Sequence, residues 1–231
     1  MDFTNKNLGV LFSIGNDTVY LTQTFVSTWI VMAILIVFAV IVRLSMSKFK
    51  DIPNGFQNIV EAMVETMSNF AVSTMGKKLE GYGGIYFSFF IFILVSNYSG
   101  LFGLRVPTAD LGTTGALAIM TFSLIHYSGI RMQRKRYFKG FFEPNPIFFP
   151  INLVGEFSKP ISLGFRLFGN MLGGLIIMGL VYEMLPFAMR FILPDVLHAY
   201  FDIFAGALQA FIFTVLSMTF ISQKAGDDEM G

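Results

Sequence analysis

Between Ile161 and Tyr182 the chain reads ISLGFRLFGNMLGGLIIMGLVY, and Arg166 is the only charged residue in that stretch. A guanidinium keeps its proton at any physiological pH, so it cannot shed its charge in an apolar segment as a buried lysine or aspartate can. It must be solvated or paired. An arginine at mid-bilayer costs about 3 kcal/mol on insertion scales and more than about 10 kcal/mol in simulations, and either figure marks a functional position. The chemistry open to it is electrostatic, because a permanent positive charge favours the ionised form of a nearby carboxylate.

Neighbouring residues extend the pattern. At about 100° per residue, Gly155, Lys159, Ser162, Arg166, Gly169, Asn170 and Gly173 fall on one face of a helix. Small residues there allow another helix to approach closely, and Ser162 and Asn170 can hydrogen-bond a charge or water. Leu163, Phe165, Phe168, Leu172 and Leu175 form a side suited to lipid or protein packing. In the last apolar segment Asp202, Ala205, Gly206, Gln209 and Phe213 share a face by the same arithmetic. The two polar stripes can meet, with Gln209 near Arg166. Lys159 is placed to snorkel towards headgroups.

The elements that carry these residues belong in a membrane. The 231 residues are 54% hydrophobic and 13% charged, with 28 phenylalanines and a mean hydropathy of +0.65, whereas soluble domains carry about a quarter charged residues. A span needs about 20 apolar residues to cross about 30 Å of hydrocarbon. Residues 25–44 and 84–104 meet that requirement, and 111–130, richer in Gly, Ser and Thr, meets it more weakly. In 54–75 the apolar residues Phe56, Ile59, Val60, Met63, Val64, Met67 and Phe70 recur at three and four, opposite Gln57, Glu61, Glu65 and Ser68. That pattern predicts an amphipathic interfacial helix beginning at Pro53 and ending near Gly76. Residues 147–182 would form a helix of about 54 Å, which must tilt steeply or break near Pro160. A turn is expected over 186–194, then a last helix over 197–222. The expected fold is a single all-α membrane domain, residues 1–231, with about five crossing helices, the last two forming a tilted hairpin over 147–222.

At this point the residues resemble a known family. SKPISLGFRLFGNM (Ser158–Met171), LQAFIFTVLS (Leu208–Ser217) and VPTADLGTTGALA (Val106–Ala118) are similar to subunit a of F-type ATP synthases. The resemblance runs from about Pro53 to Ser222. It implies that the last two helices wrap a rotor ring of c subunits, and that Arg166 faces the ring's ion-carrying carboxylates with Asn170 and Gln209 as its neighbours. It implies two aqueous half-channels for H⁺ or Na⁺, with Arg166 blocking direct leakage between them. The implied partners are the c-ring, the peripheral-stalk b subunits, the remaining complex and the bilayer of a bacterial cell membrane, with no nucleic acid and no cofactor. The match departs at two places: family members often carry Glu or His nine positions after the arginine, where this chain has Leu175, and His or Glu seven before the glutamine, where it has Asp202. Asp202 is therefore the candidate carboxylate of the outer half-channel, while Asp110, in PTADLGTT, matches a motif at the outer start of a span.

Other function classes lack their signatures. Without cysteine there is no thiol chemistry or disulfide. His126 and His198 are expected to sit at interfaces or bond to neighbours, since no third ligand has the spacing of a metal site. A self-contained secondary transporter or channel would call for internal repeats and broken-helix pairs, and an intramembrane hydrolase for a Ser and His, paired aspartates or HExxH. No basic n-region and small-residue cleavage site marks a secretory signal in MDFTNKNLGVLF.

Five spans put Arg43, Lys48, Lys50, Lys77, Lys78, Arg131, Arg134, Lys135, Arg136, Lys139 and Lys224 on one side, against Lys6, Arg105 and Arg190 on the other. The positive-inside rule then places the N-terminus outside and the C-terminus in the cytoplasm. Single cysteines at Asn5 and within the Arg131–Lys139 run will label from opposite faces of the membrane with an impermeant reagent; labelling from one face contradicts five spans.

Overall fold

The computed structural model describes residues 7–14, 17–50, 52–53, 55–143, 145–184 and 193–225. The expected turn over 186–194 falls largely outside them. The first element departs from the sequence reading: β1 (Asn7–Ile14) and β2 (Asp17–Thr22) pair antiparallel, with Ile14 opposite Asp17 and Asn7 opposite Thr22. Val10, Phe12, Val19 and Tyr20 favour extended backbone, and a search for spans of twenty residues passes over strands this short.

Helix α1 (Gln23–Ser45) starts where the Thr22 hydroxyl accepts from the Phe25 amide at 3.3 Å. It is apolar on every side and nearly all exposed, with Thr24, Ser27 and Val31 its buried residues. Such a surface requires lipid. Helix α2 (Phe56–Met75) is bounded by Gly55 at φ 53° and Gly76 at φ 83°, backbone that side chains resist. Its expected apolar stripe is divided: Val60 is buried and Phe70 packs on the core, but Ile59 and Val64 are mostly exposed. Gln57, expected on the polar side, is buried instead. Its amide accepts from the Lys50 N–H (2.9 Å) and donates to the Lys50 carbonyl (2.7 Å), pinning the preceding turn to the helix.

Among the described residues four helical rods are long and apolar enough to cross a membrane: 23–48, 77–102, 146–184 and 199–225. Within them lie α3 (Gly83–Tyr98) and α6 (Phe149–Met184). Helix α4 (Leu111–Gln133), the expected middle span, is not among the four, and packing explains its composition. Thr114, Thr121, Ser128 and Gly129 are buried where α4 lies against α6 and α8 (Gly206–Ala225), so its polar and small residues face protein. A Cβ on Gly164 of α6 would stand 3.1 Å from the Ala118 Cβ and 3.3 Å from the Thr114 carbonyl oxygen. The core joins α2, α3, α4, α6 and α8 through Met75, Tyr86, Ile93, Ile125, Leu167, Phe213 and Met218. Of the two expectations for the long apolar segment, the break is not observed: α6 runs unbroken through Pro160, 36 residues in all. Proline removes one backbone hydrogen bond, and here its ring is buried in the packing that holds the helix on both sides.

Polar contacts fasten the two ends. At one, the Asn97 amide donates to the Gly206 carbonyl (2.8 Å) while its oxygen accepts from the Thr108 hydroxyl, all fully buried. Thr22 and Thr24 share a cavity with Asp110 and Gly112, so the start of α1 lies at this end too. At the other, the Gln133 amide donates to the Lys224 carbonyl at 2.9 Å, and α5 (Lys135–Gly140) brings Tyr137 beneath Gly129. Burial pushes the Tyr137 phenol up to about 12, so it is a hydroxyl at neutral pH. Asn97→Ala strands the Thr108 hydroxyl, at about 1–3 kcal/mol for an unpaired buried group, and removes the second bond to the Gly206 carbonyl. Thermal unfolding of the purified protein in detergent will show a clearly lowered midpoint; an unchanged midpoint contradicts this role.

Candidate ion-translocation site

Helix α6 has two unlike faces. One buries Glu156, Pro160, Leu163, Gly164, Leu167, Met171, Gly174 and Met178, at the spacing of a helix packed along its length, with Gly164 against α4, Glu156 paired to α8, and Met171 against Val106 and Ala109. The other holds Ser162, Arg166 and Gly169, all exposed. A Cβ added at Gly155, Gly169 or Gly173 would meet nothing within 4 Å. The small residues of this stripe therefore accommodate no helix of the chain itself, which uses Gly164 and Gly174 instead. Of the residues expected on the apolar side, Leu163 is buried, Phe165 is exposed, and Phe168, Leu172 and Leu175 lie between. Among the described residues Arg166 makes no hydrogen bond and no ion pair.

Two separate cavities flank this position between α6 and the final helical rod. The first, about 140 Å³, is lined by Asn170, Leu175, Gly100, His198 and Asp202 among others. The second, about 240 Å³, is lined by Ser158, Lys159, Ser162, Leu163 and Arg166 of α6 with Leu216 and Phe220 of α8. They share no lining residue. Along α6 the division falls between Arg166 and Asn170; along the opposing rod it falls between Asp202 and Leu216, the interval containing Gln209. Gln209 is half-buried and forms no hydrogen bond with Arg166.

The first cavity owes its polar wall to an irregularity. Helix α7 (Leu193–His198) passes into a π-helical segment, Ala199–Ala205, before α8 begins. A wider turn re-aims the side chains it carries and often marks functional positions. Here Phe201 packs on Gly174 of α6, and Asp202 lies against Gly100 beyond α3. The Asp202 Oδ2 is 2.6 Å from His198 Nδ1, and His198 Nε2 is 3.2 Å from the Tyr182 hydroxyl of α6. With Nδ1–H donating to the carboxylate, Nε2 is the acceptor for the phenolic hydroxyl. Asn170, in the same cavity, has a buried Nδ2 without a partner.

The second cavity ends at an ion cluster. Glu156 Oε1 lies 3.1 Å from Lys159 Nζ and 2.9 Å from Lys224 Nζ, and Lys224 is 4.9 Å above the Phe141 ring. Lys159, expected to reach headgroups, is thus held by a buried carboxylate, three positions away on the inward face. Glu156 pairs across 68 positions with Lys224, a contact that no local spacing could announce.

Not every candidate joins the site. Asp110 caps α4, its carboxylate accepting from the Gly112 amide at 2.8 Å, and lines neither cavity. The two histidines are far apart in role: His126 packs on Phe122 with ring centroids 3.9 Å apart and an unpartnered Nδ1, while His198 bonds at both nitrogens. Among the described residues no three His, Cys, Asp or Glu side chains group as a metal site. Tyr182 was passed over in the sequence, and His198, expected at an interface or bonded to neighbours, is bonded to Asp202 and Tyr182. The visible signal was the four-residue spacing of His198 and Asp202, the helical pairing distance.

Comparison with known proteins agrees with this arrangement. The family of the ATP synthase A chain matches residues 25–222. The chain is 38% identical to the sodium-ion-specific ATP synthase subunit a of Propionigenium modestum, over 90% of this chain and 75% of that one. It is 36% identical to ATP synthase subunit a of Moorella thermoacetica, covering 92% and 94%, and 33% identical to the chloroplastic subunit of Stigeoclonium helveticum, covering 89% and 85%. An unbroken α6 bearing an unpaired arginine, a largely helical membrane fold and these matches agree: the chain belongs to the ATP synthase A chain family, ion-translocating stator subunits that do no nucleotide chemistry themselves.

Proposed function

We propose that the two cavities are the inner ends of two aqueous half-channels and that Arg166 separates them while facing the carboxylates of a c-ring. The observation that carries this reading is the arginine itself, unpaired and exposed on a glycine-bearing face between cavities that do not connect. A carboxylate arriving loaded with H⁺ or Na⁺ loses its ion near a fixed guanidinium, because the charge favours the ionised form. The same charge repels the free cation. Ions then cross only by entering one cavity, riding the ring and leaving by the other. Asn170 and Asp202 serve the outer path, and Ser162 and Lys159 line the inner one; Gln209 stands on the opposing helix at the division. The outer assignment follows from the basic residues, which cluster at the Gln133–Lys224 end. Peripheral-stalk b subunits hold the chain against the torque. Both ions stay within this reading, since one relative is named for sodium and the carboxylate that selects the ion belongs to the ring.

Arg166→Ala will abolish ATP-driven ion uptake and ATP synthesis in vesicles holding the whole complex, while passive ion leak through the membrane sector rises. Arg166→Lys keeps the charge but loses the planar fork and can deprotonate. Losing a contact of about 1.5–3 kcal/mol corresponds to a roughly 10- to 150-fold slower coupled rate. An alanine variant that synthesises ATP near the unmodified rate defeats this reading.

A further inference from the structure

We propose that His198, held between Asp202 and Tyr182, carries a proton through the first cavity and supplies the titratable group that α6 lacks at Leu175. The inference rests on the half-channel reading above and concerns one residue within it. Among the described residues lining that cavity, His198 and Asp202 are the titratable ones; Leu175, Met171, Met178 and Phe201 make much of the remaining wall apolar.

The bonding suits both charge states of the imidazole. When neutral, Nδ1–H donates to Asp202 at 2.6 Å and Nε2 accepts from the Tyr182 hydroxyl at 3.2 Å. When a proton binds Nε2, the ring has two N–H donors. Asp202 still accepts from one, now as the counter-ion, and the Tyr182 oxygen turns from donor to acceptor for the other. In both states the two ring nitrogens and the Asp202 carboxylate keep a partner, and the counter-ion lowers the cost that normally opposes a buried charge change. One N–H bond forms at Nε2 as water on the outer side gives up a proton. The same bond breaks as cavity water on the Asn170 side takes it, which restores the starting tautomer and consumes nothing. Asp202 is then a positioning residue for the imidazole. Arg105, beside Leu104 in the connection after α3, Glu183, beside Tyr182 on α6, and Asp195, on α7 itself, are the charged groups on the elements at this corner, and Arg105 and Glu183 are each engaged in an interaction.

The test uses the whole complex in vesicles, in sodium-free medium, with the pH on the Tyr182 side varied between about 5 and 8, where an imidazole changes charge. His198→Asn keeps a donor near Asp202 but cannot titrate. Its proton flow will fall by about a hundredfold, the lower end of what a positioned proton-transfer group contributes, and its pH profile on that side will flatten. Adding Leu175→Glu, which returns a titratable group to the same cavity, will recover flow and pH dependence. Flow in His198→Asn equal to the unmodified complex overturns the proposal, as does a loss with unaltered pH profile that Leu175→Glu does not repair, which is the mark of a merely structural histidine. Arg166→Ala is measured beside it. If that variant stays active the half-channel reading itself fails; if it is inactive while His198→Asn is normal, only the histidine's role falls.

Discussion

An arginine that cannot be neutralised and has no partner among the described residues is the constraint on which this structure turns. Guanidinium stays charged in any surroundings a protein offers, and an isolated charge at membrane depth demands water or a counter-ion. Every neighbouring helix could have supplied one. Instead α6 turns Leu163, Leu167 and Gly164 into the core with α4 and α8, and Met171 and Gly174 towards Val106 and Phe201, and leaves Ser162, Arg166 and Gly169 outside. The carboxylates near α6 lie elsewhere: Glu156 is taken by two lysines at one end and Asp202 by a histidine at the other. On the proposed reading, the unmet charge is met by the ring.

Holding such a face open requires rigidity behind it. Gly164 against Ala118 and Thr114 brings α6 close to α4, and Gly174 receives Phe201 from the π-helical segment. Fully buried Asn97 ties α3 to the start of α8 at one end, and the Glu156 ion cluster ties α6 to the last turn of α8 at the other. Between these fastenings run the two cavities. Buried polar contacts of this kind are costly to leave half-made, which favours one arrangement of the helices over sliding alternatives.

Much of this was legible from the sequence, for reasons that differ by element. Hydropathy exposed α1, α3, α6 and the final rod, because a lipid-facing surface has to be apolar on its own account. The three-and-four repeat of 56–70 outlined α2 to within two residues. Arg166 stood out because a single charge in an apolar stretch has no bland explanation. What stayed hidden depended on partners distant in sequence or on backbone irregularity. Gln57 lay on the expected polar face yet is buried because it bonds Lys50. Lys159 meets Glu156 together with Lys224, from the far end of the chain. The 100° arithmetic assumes an unbroken α-helix, so it could not foresee the π-helical turn that carries Asp202 towards Gly100 and His198. The β1–β2 hairpin was lost to the length of window that finds spans.

The central claim is that the open face of α6, and no other, meets the carboxylate-bearing helix of the ring. The chain's lack of cysteine makes this directly measurable. Single cysteines at Ser162, Gly169 and Gly173, and at Phe157 and Ile161 as controls on other exposed parts of α6, can be oxidised against a cysteine one turn from the ring carboxylate in the assembled complex. Disulfide cross-links confined to Ser162, Gly169 and Gly173 are the predicted result; cross-links at the control positions with none at those three would contradict it.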